Sequence, residues 1–364
     1  MKRLLLLGGG HAHLQVLHAL MRQALPGAEV LLVTPYSQQM YSGMVPGLVA
    51  GRYRADDCVI PLQPLAEGAG ARFITASVVA LDAAARQARL SDGQVLEYDL
   101  LSIDTGPAID RDAIPGAREH GLFVRPIEEF VQQFDALIAR AAAGALHIAV
   151  LGGGAAGFEL VLALRARLAT ARLTLVTGGP APLAGYPPRV LRLAAATLQG
   201  RGVAVQEAAC TGLDASGLQL AGGARLDCDV ALLAIGASAP AWPAGSGLAL
   251  DARGFIATGA TLQSLSHPEV FAAGDVASRP DAPHPKSGVY AVRAGPPLAL
   301  NLRRFAAGQP LASHRPQRRT LNLLACGDGS AIAVWGGWSA QGRWVWRWKD
   351  RIDRGFIARH RVGA

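Results

Sequence analysis

The feature that most constrains this chain is a strand, a glycine loop, a helix and a second strand laid down twice. Lys2 to Leu7 precede Gly8-Gly9-Gly10, an apolar-periodic stretch follows from His11 to Leu25, and Val30 to Val33 closes the unit. Leu146 to Leu151, Gly152-Gly153-Gly154, Ala155 to about Ala169 and Leu173 to Val176 repeat that order. Such a loop lets the backbone approach a diphosphate, and the helix start offers free N–H groups and a favourable dipole. One copy is a weak signal; two copies point to two dinucleotide sites.

The copies are unequal. Gly152, Gly154 and Gly157 complete the G-x-G-x-x-G pattern, whereas Gly8 and Gly10 are followed by His13 in the third position. His11 and His13 have no Cys, Asp or Glu close by, so no metal site is expected; His13 is expected to pack on the strand and His11 to face the phosphate or its water. The second strands end in Thr34 and Thr177, where an acid normally holds the adenosine ribose. That leaves the choice between NADH and NADPH open.

The likeness runs on. Arg72 to Tyr98 and Val203 to Asp229 each offer short alternating strands, and each half ends on an apolar strand, Leu100 to Gly106 and Val230 to Gly236. Val270 to Ala273 then lead into Gly274-Asp275, a proline-rich loop and a helical stretch from Ser287 to Phe305. The expected architecture is α/β, with two nested Rossmann-like dinucleotide-binding domains in three layers and a small C-terminal strand-and-helix region. The boundaries are 1–114 with 246–315, 115–245, and 316–364.

A length of 364 residues with 51% hydrophobic and 17% charged content allows a large core and argues against disorder. The apolar start after Met1-Lys2-Arg3 is cut short by glycine at residue 8, so it is expected to be a strand and not a signal peptide. Cys58, Cys210, Cys228 and Cys326 form no Cys-x-x-Cys motif, which removes a local redox disulfide and a zinc knuckle. Cytosolic free thiols are the default.

Net charge is +8, and its location matters more than its size. Up to Leu302 there are 23 Lys+Arg against 24 Asp+Glu; from Arg303 onward there are 12 against 3. In the tail, Trp344, Trp348, Ile352 and Phe356 recur at spacing four, Arg347, Arg351 and Arg354 occupy another side, and Trp346 falls outside the stripe. Two outcomes stand open: residues 343–361 rest on an anionic membrane surface, or the stripe packs on this protein's own core or a second subunit in a homodimer. No run of about 18 apolar residues spans a membrane, and nucleic acid is a weaker partner because no recognised binding fold accompanies the charge.

Taken in order, Gly8-x-Gly10, Thr105-Gly106, Gly152 to Glu159, Ala234-Ile235-Gly236 and Gly274-Asp275 resemble the two-dinucleotide-domain flavoproteins of the pyridine nucleotide-disulfide oxidoreductase superfamily. The chain is most similar to the type II NADH dehydrogenase and sulfide:quinone reductase branch. Gly8-Gly9-Gly10-His11-Ala12-His13, Tyr41 to Gly47 and Trp344 to Asp350 resemble its subgroup often fused to selenophosphate synthetase.

The resemblance implies FAD held by Gly8, Gly10, His11, Thr34, Thr105, Gly106, Gly274, Asp275 and Ser287. It implies NAD(P)H on Gly152, Gly154, Gly157, Thr177 and Gly236, with Glu159 and Lys286 as catalytic groups and a quinone-like acceptor. Location is then cytoplasmic or peripheral on the cytoplasmic membrane face. Two alternatives accompany it: a flavoprotein partner in selenium metabolism, and sulfide oxidation, which needs two thiols such as Cys210 and Cys326 to meet over the flavin.

Overall fold

A computed structural model describes residues 2–361. Lys2–Leu7 runs parallel between Ala28–Thr34 and Leu100–Ile103, with Ala71–Thr75 and Val270–Ala272 at the edges of the same five-stranded sheet. Both faces of this sheet are covered, so Leu4 and Leu6 enter one core cluster while Leu5 and Leu7 enter another. The strand is therefore an unbroken apolar run in the sequence.

The second sheet repeats the plan: Gly121–Phe123, Val230–Leu233, His147–Leu151, Arg172–Val176 and Ala204–Gln206, all parallel. Strand orders match position for position except in the source of one edge. The first sheet recruits Val270–Ala272 from far downstream; the second uses Gly121–Phe123, just ahead of its own glycine loop. Each half adds a three-stranded antiparallel sheet, Val78–Asp82 with Gln87–Leu90 and Val95–Glu97, and Cys210–Asp214 with Gly217–Leu220 and Arg225–Asp227. The fold is α/β with two nested Rossmann-like halves.

The first loop helix is His11–Arg22, shorter than the periodicity implied because Pro26 disfavours helical backbone at Leu25. His13, in the first turn of that helix, is fully buried. Its ring Nδ1 lies 2.6 Å from the Gly8 carbonyl oxygen, and its Nε2 lies 2.8 Å from the Ser102 hydroxyl. A carbonyl only accepts, so Nδ1 carries the proton and Ser102 donates to Nε2. The imidazole thus occupies the place of the third glycine and ties the loop to the neighbouring strand.

The tail sequence reads as two strands, Thr320 to Ala325 and Ala331 to Trp335, followed by a helix, and the structure adds a third strand. Leu321–Ala325, Ala331–Trp335 and Trp338–Gly342 form an antiparallel sheet before helix Arg343–His360. The third strand follows the two-residue hairpin turn Gly336-Gly337, a signal the tryptophan pattern obscured. Lys349 Nζ donates to Gly43 O and to Asp353 Oδ2, both at 2.7 Å, and Tyr53 donates to Asp350 at 2.7 Å, so the helix lies across the first half of the protein. No helix among the described residues is long and apolar enough to cross a membrane.

Burial lowers the pKa of His11, His13 and His360 from 6.5 to about 4. The unfolded chain therefore takes up these protons before the folded one does. Stability is fully present above about pH 6.5 and falls as pH drops towards about 4, with a slope set by up to about three protons. Thermal melts across that window check this; a His13→Gln variant, whose side chain is neutral throughout, is expected to show a shallower slope.

Candidate cofactor and acceptor site

Both glycine loops end their strands at the same side of the molecule and open into two cavities. The smaller, about 520 Å³, is walled by Gly8, Gly10, His11, Thr34, Thr105, Gly106 and Asp275. The larger, about 1610 Å³, starts at Gly152, Gly154, Thr177 and Gly236, passes Glu159 and Lys286, and ends among Trp335, Trp348 and Ile352 of the tail. Ser42, Arg125 and Gly288 belong to both walls, so the cavities meet there.

In the second loop, Gly157 is buried against Gly152, and a β-carbon at 157 would overlap the Gly152 carbonyl oxygen. Helix Ala155–Arg167 reaches the strand end only because that atom is missing. Thr177 donates its hydroxyl to Gly179 O at 2.6 Å, which satisfies it within the turn. Arg189 and Arg192, the nearest arginines after Thr177 in the sequence and so the candidates to meet a 2′-phosphate, do not line the cavity.

In the first loop, His11 packs between Tyr41 and Phe356, with ring centroids 5.6 and 5.7 Å away. Gln39 donates to its Nδ1 at 3.2 Å, and its Nε2 is buried with no partner among the described residues. Thr105 Oγ1 is buried and likewise unpartnered. Asp275 is buried in the direction that raises a carboxyl pKa, opposed by Arg125, Lys286 and the Ser287 N–H. Ser287 stands at the N-cap position of helix Gly288–Ala306 without a side-chain capping bond. Lys286 does not project freely: Nζ donates to Ala277 O and sits 3.9 Å from the Phe255 ring centroid, and burial draws its pKa down to about 8.

Glu159 accepts the Ala325 N–H at 2.7 Å, which joins the second loop helix to the tail sheet. Burial raises its pKa to about 7 against the pull of Lys349. A carboxyl in that range holds or releases a proton at neutral pH. Lys349, Asp353 and Tyr41 stand on the same cavity wall, where burial, with the Asp353 charge adding to it, pushes the Tyr41 phenol up. Sequence reasoning missed all three, together with Arg125 and Asp104. Lys349 and Asp353 resemble an ordinary i,i+4 surface pair. Asp104, by contrast, was visible as a lone charge inside the apolar segment Leu100 to Gly106.

The tail stripe divides. Trp344, Trp348 and Ile352 are exposed, as are Trp335 and Trp338, while Phe356 is buried and stacks on Tyr41 at 4.6 Å. Trp346 packs on Tyr53, with Arg52 over its ring. The four cysteines are free, and Cys326 is buried and absent from the cavity wall that Cys210 joins, so these two thiols do not meet there.

The family model for pyridine nucleotide-disulphide oxidoreductases matches residues 2–295. The chain belongs to this family. Among its relatives, a demethylphylloquinone reductase of Synechocystis is 26% identical over 347 residues, covering 91% of this chain and 86% of the relative. A type II NADH:quinone oxidoreductase of Staphylococcus haemolyticus is 23% identical over 366 residues, covering 91% and 89%. The fold is shared with the sulfide:quinone oxidoreductase of Aquifex aeolicus, at TM-score 0.82, 17% identity, and 100% and 93% coverage. It is shared also with NDH2 from Plasmodium falciparum in complex with NADH, at TM-score 0.81, 12% identity, and 98% and 97% coverage.

Gly157→Ala is the sharpest probe of the second loop. This substitution is expected to weaken NAD(P)H binding by at least ~10-fold and to leave the first cavity unaffected. Nucleotide titration followed by calorimetry checks this, and unchanged affinity contradicts the assignment.

Proposed function

We propose that this protein carries FAD, takes hydride from NAD(P)H and passes electrons to a quinone-like acceptor. The observation that carries the proposal is the meeting of the two cavities at Ser42, Arg125 and Gly288, with the larger one continuing to the tail tryptophans. A nucleotide on the second loop, a flavin on the first and an acceptor beside the tail would then share one water-restricted space. The relatives named as quinone reductases support this over a role in selenium metabolism.

The residues of the first cavity fit FAD. The glycine loop can approach the diphosphate, His11 Nε2 and Thr105 Oγ1 are unpartnered polar atoms on the cavity wall, and Asp275 is placed to accept hydroxyls from the ribityl chain. The flavin, when bound, supplies hydride acceptance and electron release. The chain does the rest. Residues 1–114 and 246–315 form the FAD domain, residues 115–245 hold the nucleotide through Gly152, Gly154, Gly157, Thr177 and Gly236, and residues 316–364 form the interface region. Glu159 holds the proton that a reduced acceptor needs, kept there by burial against the pull of Lys349. Lys286, fixed on Ala277 O, acts as a cation beside Asp275.

The exposed tryptophans lie beside exposed Arg343, Arg347 and Arg351, a combination suited to an anionic lipid interface, with about 1 kcal/mol of attraction per nearby cation. A peripheral position would bring membrane quinone to the cavity mouth.

Two measurements test this. Anaerobic NADH or NADPH is expected to bleach the oxidised-flavin spectrum, and a soluble quinone to restore it. No bleaching with either nucleotide refutes the donor, and bleaching without recovery refutes the acceptor. In co-sedimentation, vesicles containing anionic lipid are expected to retain the protein and neutral vesicles to retain less. Indifference to lipid together with a dimer in light scattering would move the tryptophan face to a subunit contact.

A further inference from the structure

Three glycines of the cofactor machinery share one neighbour. A β-carbon at Gly8 would overlap the Asp104 carbonyl oxygen, and one at Gly10 or Gly274 would overlap the Asp104 carboxyl group. Asp104 is 2% exposed and lines the smaller cavity. Its Oδ2 accepts the N–H groups of Ala12 at 2.8 Å and His13 at 3.0 Å, while its carbonyl accepts Gly10 N–H at 3.1 Å. The start of helix His11–Arg22 is the place where a glycine loop normally presents free N–H groups to a diphosphate. Here a buried carboxyl group already holds two of them.

A diphosphate and an ionised carboxylate would compete for the same positive helix end, with little solvent to screen them. We infer that Asp104 is a positioning residue for the dinucleotide: it fixes the glycine loop through its carboxyl oxygen and carries a proton when the diphosphate is bound. Flavin binding and proton uptake are then one linked event. This rests on the FAD reading above.

The groups facing Asp104 are few. Desolvation raises its own pKa to about 7, with Asp275 adding to the rise and the two N–H groups opposing it. His13 and His11, both drawn down to about 4, stay neutral near pH 7. Arg125 and Lys286 act through Asp275. Lys286 titrates near 8, and Asp275 is shifted upward, so both can add a pH dependence of their own. They remain in place in any Asp104 variant, so the difference between wild type and variant isolates Asp104.

The sign follows. Below its titration point Asp104 is already protonated and binding takes up nothing; above it, binding must supply a proton, and affinity for FAD falls by about tenfold per pH unit. The test is calorimetric titration of FAD into the apoprotein between about pH 6.5 and about pH 8.5, in two buffers of different ionisation enthalpy. Wild type is expected to take up close to one proton more than Asp104→Asn at the upper end, and the variant to lose the corresponding tenfold slope. Asp104→Ser, which keeps an oxygen at the helix start, repeats the comparison if the amide variant is unstable.

Proton uptake and slope that persist unchanged in the variants overturn the inference, as does wild-type affinity that is flat with pH. FAD binding by no form at any pH overturns the flavin reading itself and this inference with it.

Discussion

The ammonium group of Lys349 holds Gly43 O and Asp353 Oδ2 at once, and almost everything about the larger cavity follows from where that places the tail. A buried ion pair is weak evidence for stability, since desolvation offsets the Coulomb gain, but removing one partner strands a charge at a cost of about 3–5 kcal/mol. Its value is positional. Helix Arg343–His360 cannot slide without breaking the bond from Lys349 to Gly43 O, which Asp353 steadies from one turn along the same helix, and the sheet of Leu321–Gly342 is fixed with it. That sheet brings the Ala325 N–H to Glu159, so the acid of the second loop helix is set by a residue more than 160 positions away.

Parallel sheets direct their loops to one side, and this explains why two separately folded glycine loops come to face a common space. Arg125 stands where the spaces join, close enough to act on both His11 and Asp275. The tail closes the far side with aromatic rings. On the proposed reading a nucleotide, a flavin and a flat apolar acceptor make different demands on a wall, which glycine backbone, buried polar atoms, and tryptophan with isoleucine would meet in turn.

Much of the fold was legible because it rests on local rules. Apolar runs bounded by glycines became parallel strands, and the internal duplication held through both antiparallel sheets. What stayed hidden depended on long-range contact. His13 at the third glycine position looked like a defect, but its ring replaces the missing close contact with two hydrogen bonds, and nothing local announces Ser102 as the partner. Lys349 looked like solvent-exposed charge because its acceptor, Gly43, is 306 residues away. The tail stripe could not be assigned to lipid or core from spacing alone, since the helix changes neighbours along its length: Phe356 meets Tyr41, whereas Trp344 meets no core.

The central claim is that the tail forms the acceptor side of the cavity and leaves the nucleotide side untouched. Stopped-flow measurement of the two half-reactions in the Trp335→Ser, Trp348→Ser double variant tests it most directly, because both side chains are exposed and their loss spares the core. The account predicts flavin reduction by NAD(P)H within about twofold of wild type and reoxidation by quinone slowed by at least about tenfold. Reoxidation at the wild-type rate, or an equal loss in both half-reactions, would contradict it.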